Sequence, residues 1–207
     1  MSVLTLKCPY SSKAGEPVWE LARCFPEQGY WSEEDYLELD SAGNMLVEFT
    51  DGFVEVLPMP TFLHQCIVKY LVDMLTACVG PQLGKVVFAP LPFRLRKKMW
   101  REPDILFIFK EHLPKGAYPD RVDLVVEVVS SGKKARARDY ERKRADYAAW
   151  GVSEYWIVDP QKEQITVLRL EGGRYVEHGV FKKGARATSV LLPGFRVGVE
   201  AVFAAGK

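Results

Sequence analysis

Two carboxylates interrupt apolar runs that otherwise have the composition of buried β-strands. Asp104 opens the run 104–109, and Glu127 lies inside the run 122–129. Burying an unpaired charge is costly, so each acid requires a partner such as a metal ion or a basic side chain. Two neighbouring carboxylates also repel each other unless a divalent cation lies between them. The pair predicts a site for Mg²⁺ or Mn²⁺, whereas each acid taken alone could equally be a structural partner of Arg or Lys.

A lysine follows the acids at a spacing that suits the same site. The segment 133–150 contains good helix formers without Gly or Pro, and Gly151 follows it, as at a left-handed helix C-cap. Asp139, Lys143 and Tyr147 lie four residues apart and share one face of this helix. A divalent metal lowers the pKa of bound water, and an ammonium can stabilise the developing negative charge. Together they suit phosphodiester hydrolysis.

The neighbouring elements predict how these side chains meet. A turn-rich loop separates the runs 104–109 and 122–129, so antiparallel pairing brings Asp104 opposite Glu127, with Cβ atoms roughly 5 Å apart. After the helix, the segment 154–160 has the pattern of a short strand ended by proline. A strand, a helix and a further strand form a right-handed crossover. The helix therefore packs over the sheet that carries both acids and can point its lysine toward them.

These motifs resemble the Uma-type restriction endonucleases, a branch of the PD-(D/E)XK nuclease superfamily. The resemblance rests on Pro103-Asp104, on Glu127 in Asp-Leu-Val-Val-Glu-Val-Val-Ser, on the helix residues above, and on Gly-Val-Ser-Glu-Tyr-Trp-Ile-Val-Asp-Pro at 151–160. It extends to Glu-Glu-Asp-Tyr-Leu at 33–37 and to Leu-Pro-Gly-Phe at 192–195, and so spans most of the chain.

The expected fold is an α/β, restriction-endonuclease-like mixed sheet flanked by helices, with an amino-terminal β-hairpin extension. Asp51-Gly52 between two apolar stretches predicts that hairpin. The segment 64–79 predicts a helix, and 85–96 predicts one further strand. We expect a single domain over residues 1–207, with a nuclease core at about 60–160.

The resemblance also implies roles for individual residues. Asp104 and Glu127 would be catalytic metal ligands, the backbone carbonyl of Val128 a further ligand, and Lys143 the catalytic cation. The wider superfamily places a lysine two residues after the glutamate, where this chain has Val129. In the Uma-type branch the lysine has moved onto the following helix, and Lys143 matches that position.

Two further residues match the amino-terminal half of the family. Glu48 could supply another acid to the metal, and His64 could contact a phosphate or orient a water as a second-tier catalytic residue. A structural interpretation stays open for both. Glu48 could be an exposed strand residue, and His64 a polar residue in the first turn of a helix.

The net charge is +1, unlike a dedicated nucleic-acid binder with a strongly basic surface. Basic residues nevertheless flank the predicted site on both sides in the sequence. Those expected to contact DNA phosphates are Arg101, Lys133, Lys134, Arg136 and Arg138. Basic runs are also common on solvated faces, and that alternative stays open.

The chain has 207 residues and four cysteines without Cys-x-x-Cys spacing, which argues against a zinc ribbon or a disulfide scaffold. It shows no secretory signal and no run of about 20 apolar residues that would span a membrane. We therefore expect a cytoplasmic protein that does not bind a membrane. The predicted activity is metal-dependent endonucleolytic hydrolysis of DNA, with a homodimer left open. The alternatives are a non-catalytic protein that binds nucleic acid or assembles with itself, and a hydrolase of a small phosphodiester.

Overall fold

The computed structural model describes residues 25–42 and 45–206, and its apolar runs form strands. The strands are β1 Val47–Thr50, β2 Phe53–Val56, β3 Gly84–Phe88, β4 Phe93–Arg96, β5 Met99–Arg101, β6 Ile105–Phe109, β7 Leu124–Val128, β8 Glu154–Asp159, β9 Gln164–Glu171, β10 Arg174–Lys182, β11 Arg186–Thr188 and β12 Arg196–Gly198. The helices are α1 Glu33–Ala42, α2 Phe62–Leu83, α3 Lys133–Ala137, α4 Lys143–Ala149 and α5 Val199–Ala204.

A six-stranded mixed sheet in the order β10-β9-β8-β7-β6-β3 forms the centre of the structure. β6 and β7 pair antiparallel, and β7 and β8 pair parallel, as the sequence predicts. The parallel pair is joined through α3 and α4. Every residue of β7 and β8 is buried, because apolar side chains pack on both faces of the sheet.

The amino-terminal hairpin belongs to a second sheet, in the order β2-β1-β5-β4. β1 and β2 pair antiparallel around Asp51 and Gly52, which confirms the predicted hairpin. The prediction of one strand over 85–96 is wrong, because the chain changes sheets within it. β3 pairs with β6 in the central sheet, whereas β4 pairs with β5 in the second. Pro90 and Pro92 lie at the break, where proline cannot donate a ladder hydrogen bond.

α2 begins after Thr61, whose side chain accepts the His64 N–H at 3.3 Å. Its buried residues are Ile67, Val68, Leu71, Leu75 and Val79. The regular helix is interrupted at Gly80, where φ is 61°, one residue after the predicted end. α2 is long and apolar enough to meet the criteria for a membrane span. Its buried side chains nevertheless pack against the central sheet.

One continuous helical segment from Lys133 to Ala149 crosses the other face of the sheet. Between α3 and α4, residues Arg138–Arg142 form a π-helical turn, which sequence propensity did not predict. π-helical turns are rare overall, but those that occur often lie at functional sites. Tyr147 of α4 is buried in the apolar cluster on the same face as Val125 and Val129. Since strand residues alternate between faces, Glu127 points toward this helix.

Candidate active site

The register of β6 and β7 places the two predicted acids side by side. Ile105 is paired with Val126. One step further along the same antiparallel register, Asp104 lies opposite Glu127. Burial raises the pKa of Glu127 most, and the negative charge of Asp104 adds to that rise, as expected for neighbouring carboxylates. The predicted antiparallel pairing that brings the two acids together is confirmed, and their role as metal ligands stays a prediction.

Asp104 lies at the open side of this pair. Its Oδ1 is 2.9 Å from Nε2 of His64, and its Oδ2 accepts the Val128 N–H at 2.7 Å. The side chain of Asp104 is 16% exposed. The capped start of α2 carries His64 to the beginning of β6, an interior strand of the central sheet. The structure therefore brings His64 into the site, in contact with an acid.

Glu127 lies in the closed part of the site, with its side chain 5% exposed. Its Oε1 accepts hydrogen bonds from Nζ of Lys143 and from the Tyr147 hydroxyl, both at 2.7 Å. Burial raises the pKa of Glu127 to about 8, although the Lys143 ammonium opposes the shift. The helix thus directs its lysine at the predicted acid.

Glu48 reaches the same lysine from β1 of the second sheet. Its Oε1 is 2.8 Å from Nζ of Lys143, and its Oε2 is 3.8 Å from Nε of Arg101. Burial alone would raise the pKa of Glu48, but Lys143 and Arg101 hold it below its ordinary value. Burial would lower the pKa of Lys143, yet Glu127 and Glu48 raise it. The ionised state near neutral pH is therefore a charged lysine facing a charged Glu48.

The oxygen atoms here suit a hard divalent cation. Asp104 and Glu127 provide adjacent carboxylates, and neither carboxylate oxygen of buried Glu48 makes a well-directed hydrogen bond to another described residue. Within residues 25–42 and 45–206, no three His, Cys, Asp or Glu side chains converge at metal-ligand spacing. The backbone carbonyl of Val128 and water would therefore be needed to complete a shell. Glu48 contacts cationic side chains, and its role as a ligand stays a prediction.

The predicted DNA-contacting residues divide into two groups. Lys133 and Lys134 are exposed at the start of α3. Arg136 pairs with Asp159 and Arg138 with Asp139, so these two guanidinium groups already have acidic partners. Their predicted role in DNA binding stays a prediction.

The structure corrects the placement of Arg101, which the sequence predicted as a phosphate contact. Its side chain is only 2% exposed and donates to Asp146 at 2.7 Å and to Thr50 at 2.8 Å. A phosphate cannot reach a guanidinium in that position. Arg101 instead ties β5 to α4 beneath the site.

Sequence reasoning assigned no role to Tyr147 or Asp146. Tyr147 donates to Glu127, and its spacing of four residues from Lys143 was the available signal. Asp146 holds Arg101, but this contact spans 45 residues and no local pattern indicates it. Periodicity therefore indicates Tyr147 as a neighbour of Lys143, whereas it gives no indication of Asp146.

Comparison with known proteins identifies the family and the fold. The model of the Uma2 family, described as "Putative restriction endonuclease", matches residues 33–200. A crystal structure described as "a putative nuclease belonging to DUF820 from Anabaena variabilis ATCC 29413" has a TM-score of 0.70 and 16% sequence identity to this chain. The alignment covers 86% of this chain and 99% of that one. A search of curated proteins finds no match. The structural likeness confirms the restriction-endonuclease-like fold.

Proposed function

Because the chain belongs to the Uma2 family, we propose that it is a metal-dependent endonuclease that hydrolyses DNA phosphodiester bonds. The observation that carries this proposal is the placement of Asp104 opposite Glu127, with Lys143 bonded to the second acid. Two adjacent carboxylates with a fixed ammonium match the needs of phosphodiester hydrolysis, which are a cation site and a stabiliser of developing charge.

The contacts of each residue indicate its role in the proposed reaction. Asp104, Glu127 and the Val128 carbonyl would hold Mg²⁺ or Mn²⁺, which when bound lowers the pKa of water and offsets charge on the phosphoryl oxygens. Lys143 can orient the attacking water or stabilise the negative charge that develops on the phosphate. His64 fixes the orientation of Asp104 through their 2.9 Å contact. Lys133 and Lys134, which are exposed, would contact the phosphate backbone of the bound DNA.

The proposal is tested by incubating the purified protein with supercoiled, linear and single-stranded DNA in Mg²⁺, Mn²⁺ or EDTA. We expect cleavage only with a divalent cation, and loss of cleavage in Asp104→Asn. Asp73→Asn is the matched control, because Asp73 is an exposed aspartate of α2 that pairs only with Lys69 among the described residues. Cleavage that persists in Asp104→Asn would show a contaminating nuclease or a different site.

A further inference from the structure

An apolar pocket of about 500 Å³ opens directly beside Asp104. Most of its lining is apolar, and it includes Met45, Met59 and Leu91. We call it the methionine pocket after Met45 and Met59, which are 44% and 67% exposed. Its volume lies in the range of about 300–1,000 Å³ that is typical of small-molecule sites. A reaction on phosphates alone gives no reason for exposed apolar surface at this position.

The methionine pocket continues into two neighbouring depressions. Tyr118 is shared with a pocket of about 590 Å³ whose lining includes the cations Lys115 and Arg121 together with the acids Glu111 and Asp120. Met59 is shared with a pocket of about 220 Å³, which His64 also lines. The apolar section beside Asp104 is thus flanked on one side by a charged depression that contains Lys115 and Arg121, and on the other by His64.

This alternation matches the chemistry of a single nucleic-acid strand. An unpaired base presents an apolar π-face, whereas the backbone presents phosphates that attract Lys and Arg. In a continuous duplex the base faces are stacked on one another and cannot enter a pocket. Methionine side chains are polarizable and adaptable, so they can pack against any of the bases.

We propose that the methionine pocket holds an unpaired nucleobase next to the scissile phosphate, so that the substrate is single-stranded or locally unpaired DNA. This inference rests on the proposed nuclease function and specifies its substrate. The pocket is lined at other points by Gln65, whose amide can hydrogen-bond the edge of a base. Lys115 and Arg121 of the neighbouring depression would contact the adjoining backbone, whereas Arg94 already pairs with Glu33 at 3.2 Å.

The first test measures binding rather than cleavage. A fluorescent single strand and a blunt duplex of the same sequence are titrated with protein in EDTA at low salt, and anisotropy gives Kd. We expect the single strand to bind about tenfold more tightly, and the double variant Met45→Ala/Met59→Ala to lose that preference. Leu83→Ala is the control, because Leu83 is an exposed apolar residue at the end of α2 far from His64. This variant should keep the preference for the single strand.

Equal affinity for the two probes, or an unchanged preference in the double variant, would overturn the inference. A second test maps cleavage of a duplex with a central unpaired stretch in Mn²⁺. Cuts confined to that stretch support the pocket assignment, and cuts spread evenly along the paired arms oppose it. The two proposals can fail separately. A Met-dependent preference without any cleavage would remove the nuclease function alone, and cleavage without preference would remove the pocket assignment alone.

Discussion

Asp104 and Glu127 face each other across neighbouring strands, but their surroundings differ. Asp104 is 16% exposed, contacts His64 and a backbone N–H, and borders an open pocket. Glu127 is 5% exposed and accepts a hydrogen bond from Lys143, which also forms an ion pair with Glu48. We call Asp104 and His64 the open half of the site, and Glu127, Lys143 and Glu48 the closed half. The open half can change partners when a ligand binds. The closed half is a buried network of charged and polar groups on which folding also depends. Substitutions in the two halves should have different consequences.

The largest effect is expected for Lys143→Met in the closed half. It leaves the charged, buried Glu48 without its 2.8 Å partner, and breaking a buried pair in this way costs about 3–5 kcal/mol. Loss of one well-placed charge-stabilising donor also lowers kcat by about 10²–10³-fold. Urea denaturation and a cleavage assay under conditions where the variant is folded measure the two effects.

A double variant separates folding from catalysis at this position. Lys143→Met with Glu48→Gln removes both partners of the 2.8 Å ion pair, and Arg101 keeps its contact with Asp146. Because replacing both charges is far less costly than removing one, most of the lost stability should return without any return of cleavage. If Lys143→Met alone has wild-type stability and activity, the closed half is not the network described here.

Asp104→Asn in the open half should show the opposite balance. It removes one formal charge from the predicted cation site, so calorimetry should show weaker Mn²⁺ binding, and cleavage should fall by at least about 10²-fold. The free energy of unfolding should change by less than about 1 kcal/mol, since the amide oxygen can still accept the Val128 N–H. Asp123→Asn is the control, because Asp123 precedes the opposite end of β7, where it contacts His112 at 2.7 Å, and it should leave Mn²⁺ affinity unchanged. Wild-type affinity in Asp104→Asn would refute the metal site.

How far the sequence predicts this site depends on how local the contacts are. Asp104, Glu127 and Lys143 lie within 40 residues on consecutive elements, so strand pairing and helix periodicity predict their meeting. Glu48 joins them only because the second sheet packs onto α4, and hydrophobic patterning does not predict how two sheets pack. The same non-local packing placed Arg101 inside the protein instead of at its surface.

Predicting strands from the apolar pattern has a similar limit. The run 85–96 has the composition of one strand, and alternation cannot reveal that β3 and β4 belong to different sheets. Pro90 and Pro92 were the available signal, since proline is disfavoured within a ladder. By contrast, β7 and β8 are mostly apolar strands of five and six residues that are buried throughout, and their existence was predictable from composition.

The contrast between the halves also predicts a proton-linked metal affinity. Burial raises the pKa of Glu127 to about 8, so in the metal-free protein this carboxyl holds a proton that Mn²⁺ must displace. Affinity should rise by up to about tenfold per pH unit between about pH 6 and pH 8 and then level off. Calorimetry in buffers of different ionisation enthalpy should show proton release at pH 7.

Glu127→Gln is the control, because it should remove both the proton release and the pH dependence. In the metal-free wild type the same proton makes stability fall as pH rises from about 4.5 to about 8, since the folded protein binds a proton that the unfolded chain has released. A metal affinity independent of pH over this range would mean that Glu127 is ionised despite its burial.

The smallest effect is expected for His64, which acts through Asp104. His64→Ala removes the group that lies 2.9 Å from Asp104 Oδ1, and loss of such a supporting contact typically costs 10-fold to 100-fold in metal affinity or activity. We expect about a tenfold loss of Mn²⁺ affinity with a change in stability below about 1 kcal/mol. His64→Gln should recover most of the affinity, because its amide can donate to the same oxygen. The matched control is His178→Ala, which removes a histidine that contacts Thr188 on β11 and should change neither measurement. Equal affinity in His64→Ala and the wild type would mean that the Val128 N–H alone orients Asp104, and that the open half contains one functional side chain rather than two.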